Sequence, residues 1–237
     1  VARAALVTGA ARGIGRALAE RLAAGGFDLA LHYRSSQQQA RRLAAELRRR
    51  GRRAVLVRGD LTEAPAAAAV VVKAARLLGG LSVVVNNVGD YLYKPVDELA
   101  AEEWRRIIDS NLNSAFYVTQ AALPHLRAAG RGRIIFIGYA GAGKAEAKPH
   151  ITPYFIAKSG LVLYAKALAE RLAAEGVTVN VVAPGVAENS LTKPLAEIPM
   201  GRPAYMRELA AAVMYFISEE ADYVTGQVIE VAGGWNL

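Results

Sequence analysis

The chain has 237 residues, a hydrophobic fraction of 53% and a formal net charge of +8. This supplies a core for one large α/β domain over 1–237 and excludes an intrinsically disordered chain. The absence of cysteine excludes disulfides, thiolate catalysis and cysteine-ligated metal, and His32, His125 and His150 have no metal-ligand spacing, so no metal is expected.

Strand and helix patterns alternate along the chain. Arg3 to Thr8 is a short apolar strand, and with a strand pattern this early no leader peptide is expected. Residues 13–25 read as a helix stopped at Gly25-Gly26, and Phe27 to Tyr33 as the second strand. An amphipathic helix over 36–50 is closed by Gly51, and Ala54 to Arg58 is the third strand. A helix over 64–79 carries Pro65 in its first turn. Leu81 to Asn86 is the fourth strand, and its run Val83-Val84-Val85 is what burial on both faces demands.

The pattern over 102–128 predicts one long helix, kinked or ended near Pro124. Arg133 to Ile137 is the fifth strand, followed by an irregular loop over 139–152. A helix over 153–175 is stopped by Gly176, and the sixth strand, Val177 to Ala183, is broken by Pro184-Gly185. A loop with one short helix covers 186–203, a last helix 204–218, and Gln227 to Val231 is the last strand. This rhythm predicts a single-domain, Rossmann-like, doubly wound parallel sheet of about seven strands with helices on both faces.

The excess charge is mostly arginine, which raises nucleic acid as a partner. The densest cluster, Arg48, Arg49, Arg50, Arg52 and Arg53, falls at a helix end, where cations complement the dipole. No aromatic residues interleave with it as a stacking platform requires, so a solvated basic face and no nucleic-acid partner are expected. No apolar run reaches the ~18 residues of a membrane span; a cytoplasmic protein with no membrane partner is expected.

Two local patterns carry chemistry. Thr8-Gly9-Ala10-Ala11-Arg12-Gly13-Ile14-Gly15 lies between the first strand and the first helix, where a pyrophosphate binds in such sheets. Gly9 permits the sharp turn, Gly13 close approach of the ligand to the backbone, and Gly15 close packing of the helix. Free N–H groups at the helix start attract the anion. The second strand ends in Arg34-Ser35-Ser36 and lacks the terminal acid that would hold a free ribose hydroxyl. A cation with hydroxyl donors suits a 2′-phosphate, so NADP(H) is expected in preference to NAD, with Arg12 reaching the same region. Ser35 or Ser36 serving only as a helix N-cap behind a surface arginine is compatible with this. The second pattern is Tyr154-Phe155-Ile156-Ala157-Lys158, which puts a phenol and an ammonium on one helix face. A neighbouring cation favours the phenolate, and such a pair beside a nicotinamide is a general acid/base.

Together these motifs resemble the short-chain dehydrogenase/reductase family along essentially the whole chain. Asp60-Leu61 matches the family's adenine contact, and Asn86-Asn87-Val88-Gly89 resembles its Asn-Asn-Ala-Gly motif. Asn111 falls at the family's relay asparagine, Tyr154 and Lys158 at its Tyr-x-x-x-Lys motif, and Pro184-Gly185 at the turn beside the nicotinamide. Tyr223-Val224-Thr225-Gly226-Gln227 and Gly233-Gly234 resemble its C-terminal signature. The resemblance implies that Tyr154 exchanges the proton, that Lys158 holds the ribose and lowers the Tyr154 pKa, and that Asn111 supports the relay. It also implies a homotetramer, a dimer of dimers.

One family residue is missing. The serine that binds the reacting carbonyl has no counterpart between Ile134 and Pro153; alignment from the strand puts Tyr139 there, and counting back from Tyr154 puts Gly141 there. The loop is about two residues longer than usual in the family. Three readings stand open. The substrate does without the serine, as a C=N bond in a pterin ring would. Tyr139 or Thr152 supplies a hydroxyl. Or the protein binds cofactor as a regulatory protein with little catalysis. The C-terminal half, with Ile198-Pro199-Met200-Gly201-Arg202, is similar to bacterial 3-oxoacyl-carrier-protein reductases. His32-Tyr33-Arg34-Ser35-Ser36 and the missing serine look like pteridine reductases. The leading expectation is NADPH-dependent reduction of a carbonyl on a small-molecule or acyl-carrier-linked substrate, with 186–203, including Glu188, Asn189 and Ser190, covering it.

Overall fold

The computed structural model describes residues 3–190 and 193–236. Val1 and Ala2, Leu191 and Thr192 of the expected covering loop, and Leu237 lie outside the described residues. The strands are β1 (Ala4–Val7), β2 (Asp28–Tyr33), β3 (Ala54–Arg58), β4 (Val83–Asn86), β5 (Gly132–Ile137), β6 (Val177–Pro184) and β7 (Val228–Val231). The helices are α1 (Gly13–Ala24), α2 (Gln37–Arg49), α3 (Ala64–Leu78), α4 (Ala101–Ile108), α5 (Ser114–Ala128), α6 (Thr152–Leu172) and α7 (Met206–Ile217).

All strand pairs are parallel, in the order β3-β2-β1-β4-β5-β6-β7. The chain winds outward from β1 in one direction, then returns to β4 and winds the other way. The crevice beyond the C-terminal ends of β1 and β4 is where such sheets bind ligands. Side chains alternate across the sheet and build two cores. Leu6, Val84, Ile134, Phe136 and Val181 pack with α3, α5 and α6, while Val7, Leu29, Leu31, Val85 and Ile135 pack with α1, α2 and α7. The valines of β4 are buried throughout, as expected of a central parallel strand.

Of the kink or end expected near Pro124, an end is not found. Pro124 sits inside α5 without ending it, and the irregularity is a π turn, Asp109–Asn113, between α4 and α5. Side chains compete there with the backbone ladder. Asn111 Nδ2 donates to Ile107 O at 3.0 Å, and Ser114 Oγ donates to Ser110 O at 2.7 Å. The helix expected over 153–175 runs as α6 and closes in a 3₁₀ turn, Ala173–Glu175, before Gly176 at φ 70°.

Part of the basic cluster serves the fold itself. Arg48 donates through Nε and Nη2 to Ala54 O at 2.9 and 2.6 Å, and Arg52 donates to Gly26 O at 3.0 Å. Among the described residues no helix is long and apolar enough to cross a membrane.

Candidate active site

The glycine turn joins β1 to α1. Gly9 and Gly13 adopt φ 63° and 55°, which only glycine takes without strain. A Cβ on Gly13 would stand 2.8 Å from Asn189 Nδ2, and one on Gly15 would strike Gly9 O and stand 2.6 Å from Asn87 Nδ2. Gly15 therefore lets α1 close on the turn itself as well as on the sheet. Thr8 locks the turn to β4. Its hydroxyl donates to Val85 O and accepts from the N–H groups of Asn87 and Val88, while Asn87 Nδ2 donates to Thr8 O at 2.9 Å.

His32, at the end of β2, is a second tie that the motif reading passed over. Gly9 N donates to His32 Nδ1 at 3.1 Å, and His32 Nε2 lies 3.1 Å from Gly59 O. The accepting Nδ1 fixes the proton on Nε2, where it donates to the carbonyl. Burial pulls this imidazole down from 6.5 to about 4, so it is neutral at ordinary pH. The available signal was a polar residue closing an apolar strand beside the glycine turn.

A cleft of about 530 Å³ opens over this turn. Gly9, Arg12, Gly13, Ile14 and Gly15 form one side, and Arg34, Ser35, Ser36, Asp60 and Leu61 the other. Ser36 caps α2 without a side-chain bond, which leaves the hydroxyls of Ser35 and Ser36 at the cleft rather than committed to the helix. Arg34 lies 3.5 Å from Asp60. Burial pushes the Asp60 carboxyl up, but Thr62's N–H and hydroxyl bonds and the Arg34 cation outweigh it and hold the group below its usual range.

Ile14, Asn87, Gly89 and Asn189 also line a second cleft of about 650 Å³, so the two form one trough across the switch point. Tyr154, Lys158, Asn111, Pro184 and Gly185 line the second cleft. Thus Tyr154 and Lys158 both face it, as their spacing on α6 predicts. Lys158 is buried and donates to Ile137 O at 2.8 Å. Its Nζ is 5.5 Å from the Tyr154 ring centre, and burial lowers its pKa from 10.5 to about 8. Asn111 is fully buried; its Nδ2 donates to Asp90 O at 2.8 Å, while its Oδ1 has no hydrogen-bond partner among the described residues. A Cβ on Gly89 would collide with that Oδ1 and stand 3.5 Å from Lys158 Nζ, so the bare glycine lets amide and ammonium share this corner.

One expectation changes: the net shift of the Tyr154 pKa is upward, with burial its largest cause and Tyr139 and Tyr91 adding to it. The candidates for the serine position are placed differently. Tyr139 lines the cleft. Gly141 instead gives its N–H to Glu230 at 2.9 Å, and Thr152 gives its hydroxyl to Lys148 O at 2.9 Å. Burial pushes the Tyr139 phenol up to about 12. In the covering segment Asn189 and Ser190 line the cleft, whereas Glu188 accepts from Met206 N at the start of α7.

Tyr91, Tyr93, His150 and Trp235 complete the wall and were not foreseen. They come from loops after β4, β5 and β7, so nothing in the order of the chain announces their meeting. Among the described residues no group of His, Asp and Glu is placed to hold a metal.

Residues 9–236 match the family profile described as enoyl-(acyl carrier protein) reductase. The chain is 36% identical to the 3-oxoacyl-[acyl-carrier-protein] reductase FabG of Escherichia coli K12, over 97% of this chain and 96% of that one. It is 32% identical to the FabG of Staphylococcus aureus Mu50, over 98% and 97%. Among solved structures it superposes on a metagenomic blue fluorescent protein in complex with NADPH, with TM-score 0.93 and 33% identity over 99% and 98%. It superposes equally closely on a Burkholderia cenocepacia short chain dehydrogenase in complex with NADP, with TM-score 0.92 and 30% identity over 98% and 97%. With its switch-point trough, glycine turn and Tyr-Lys pair, the chain belongs to the short-chain dehydrogenase/reductase family.

Proposed function

We propose that the protein is an NADPH-dependent reductase of a carbonyl-type substrate, with Tyr154 as its proton donor. The observation that carries this reading is the placement of Tyr154 and Lys158 in the cleft that continues from the glycine turn. The trough fits the cofactor: glycine N–H groups stand at the start of α1, and Arg12, Arg34, Ser35 and Ser36 offer two cations and two hydroxyls for a 2′-phosphate. When bound, NADPH supplies the hydride. Asp60 and Leu61 border the far end of the cleft, where an adenine would lie, and Lys158 and the Asn111 oxygen stand ready for ribose hydroxyls or ordered water.

Burial keeps Tyr154 protonated at neutral pH, the form required to give a proton in the direction of reduction. The Lys158 cation, 5.5 Å from the ring centre, then offsets part of the burial cost of the phenolate left behind. With the Lys158 pKa lowered to about 8, that cation is present below this pH and is lost as pH rises through it. Hence kcat/KM should fall above pH about 8, and Lys158→Arg should move the fall to higher pH.

The 3-oxoacyl-carrier-protein reductases among the relatives support a carbonyl substrate, and the net charge of +8 suits an acidic carrier. A second reading, reduction of a ring C=N bond as in a dihydropterin, is favoured by Tyr139, one of the two candidates for the serine position, lining the cleft. The exposed apolar face of α5 and α6 supports a working homotetramer. NADPH and NADH oxidation by the purified protein, with Arg34→Glu alongside, tests the cofactor assignment. We expect NADPH to be favoured at least tenfold and Arg34→Glu to erase the difference; equal use of both cofactors by the unaltered protein contradicts it.

A further inference from the structure

Resting on the reductase reading, we infer that the substrate is a flat conjugated ring carrying a polarised C=O or C=N bond, and that Tyr139 sets this specificity. Tyr154 is flanked by two rings set almost perpendicular to it, Tyr91 at 5.1 Å and 81° and Tyr139 at 5.5 Å and 82° between centroids. Behind Tyr139, Trp235 packs at 5.8 Å and 89°, and its indole N–H is tied to Glu197 at 3.2 Å. At the rim Tyr93 stacks on His150 at 5.0 Å with the rings 8° from parallel. The wall around the reacting position is therefore aromatic on several sides, and its rings are braced by one another.

Such walls favour planar π-systems, which meet ring faces and edges at little conformational cost; a flexible acyl chain must surrender rotational freedom to lie there. Aligned from β5, Tyr139 falls where the family's pattern has a small hydroxyl; in that register this phenol removes the donor and fills its space with a ring. During reduction the polarised bond gains the two electrons of the hydride at carbon and Tyr154's proton at the heteroatom. NADPH becomes NADP⁺, and a proton from solvent restores the phenol.

The test compares 1-tetralone and 7,8-dihydrobiopterin with acetoacetyl-CoA as probes, using the full chain and Tyr139→Ser. The readouts are kcat/KM with NADPH and, separately, calorimetric binding of each probe. We expect at least one ring probe to exceed acetoacetyl-CoA at least tenfold in both readouts. The two ring probes separate ketone from C=N chemistry. Tyr139→Ser should narrow or invert that ratio while NADPH binding stays near that of the parent, with Tm lowered by the lost ring packing. Preference for acetoacetyl-CoA, or a ratio untouched by Tyr139→Ser, overturns the inference but leaves the reductase reading standing. Binding of NADPH with turnover of none of the three probes overturns both. If Tyr139→Ser fails to fold, Tyr139→Phe serves in its place: retained ring preference supports the aromatic wall, and its loss overturns it.

Discussion

His32 holds the glycine turn by one nitrogen and the β3–α3 connection by the other. Substituting Phe would leave the part-buried Gly9 N–H without this acceptor, a loss of about 1 kcal/mol. His32→Phe should therefore weaken NADPH binding severalfold at unchanged protein–substrate contacts, whereas His32→Asn, whose Oδ1 replaces Nδ1, should recover most of it; fluorescence titration reads both. The same residue makes a pH prediction. Its folded pKa of about 4 lies below the ordinary 6.5, so the unfolded chain binds the extra proton across that window. Stability is unaffected above pH 6.5 and is lost as pH falls towards 4, by an amount on the order of 3 kcal/mol. Tm followed from pH 7 to pH 4.5 should drop less steeply for His32→Asn than for the parent; parallel curves contradict the assignment. Tyr154, Lys158 and the glycines were legible as residues because their spacing encodes a shared face or a turn. His32 was not, because its role depends on strand register, and the raised pKa of Tyr154 depends on burial that no motif contains.

Among the elements, the π turn Asp109–Asn113 shows how a helix is bent to serve a site. By widening the helix it places Asn111 against Asp90 O, with its orphan oxygen beside Gly89 and Lys158. Pro124 was the visible candidate for a break, but losing one N–H did not end α5, whereas several serine and asparagine side chains bonding to carbonyls did reshape the segment before it. Such competition needs the fold to decide it, which is why the sequence pattern did not show the π turn. The start of α1 offers the complementary test. Gly15→Ala would drive a methyl into the Gly9 carbonyl and the Asn87 amide. Overpacking of this kind costs about 1–3 kcal/mol. Gly15→Ala should lower Tm and weaken NADPH binding together, while Gly143→Ala, whose Cβ would meet nothing, should change neither; an unchanged NADPH affinity in Gly15→Ala contradicts the proposed role of the turn.

For the whole molecule, the alternation of strand and helix patterns disclosed the doubly wound sheet, because parallel strands are buried on both faces and read as continuous apolar runs. The aromatic wall was invisible at that level: it is assembled from loops far apart in the chain and brought together only at the C-terminal edge of the sheet. Assembly stands on a surface. Phe116 on α5 and Ile156 and Leu163 on α6 are 43%, 44% and 68% exposed, an apolar face suited to a second copy. Leu163→Glu should shift the mass measured by light scattering to a smaller species; a parent protein already monomeric at working concentration contradicts the tetramer. The most direct test of the central claim is single-turnover NADPH oxidation by the parent and by Tyr154→Phe, each saturated with a substrate that the parent reduces. The account predicts a rate lower by about 10²–10⁴ in Tyr154→Phe with NADPH affinity unchanged, as expected when a positioned acid is removed. Equal rates in the two proteins would contradict it.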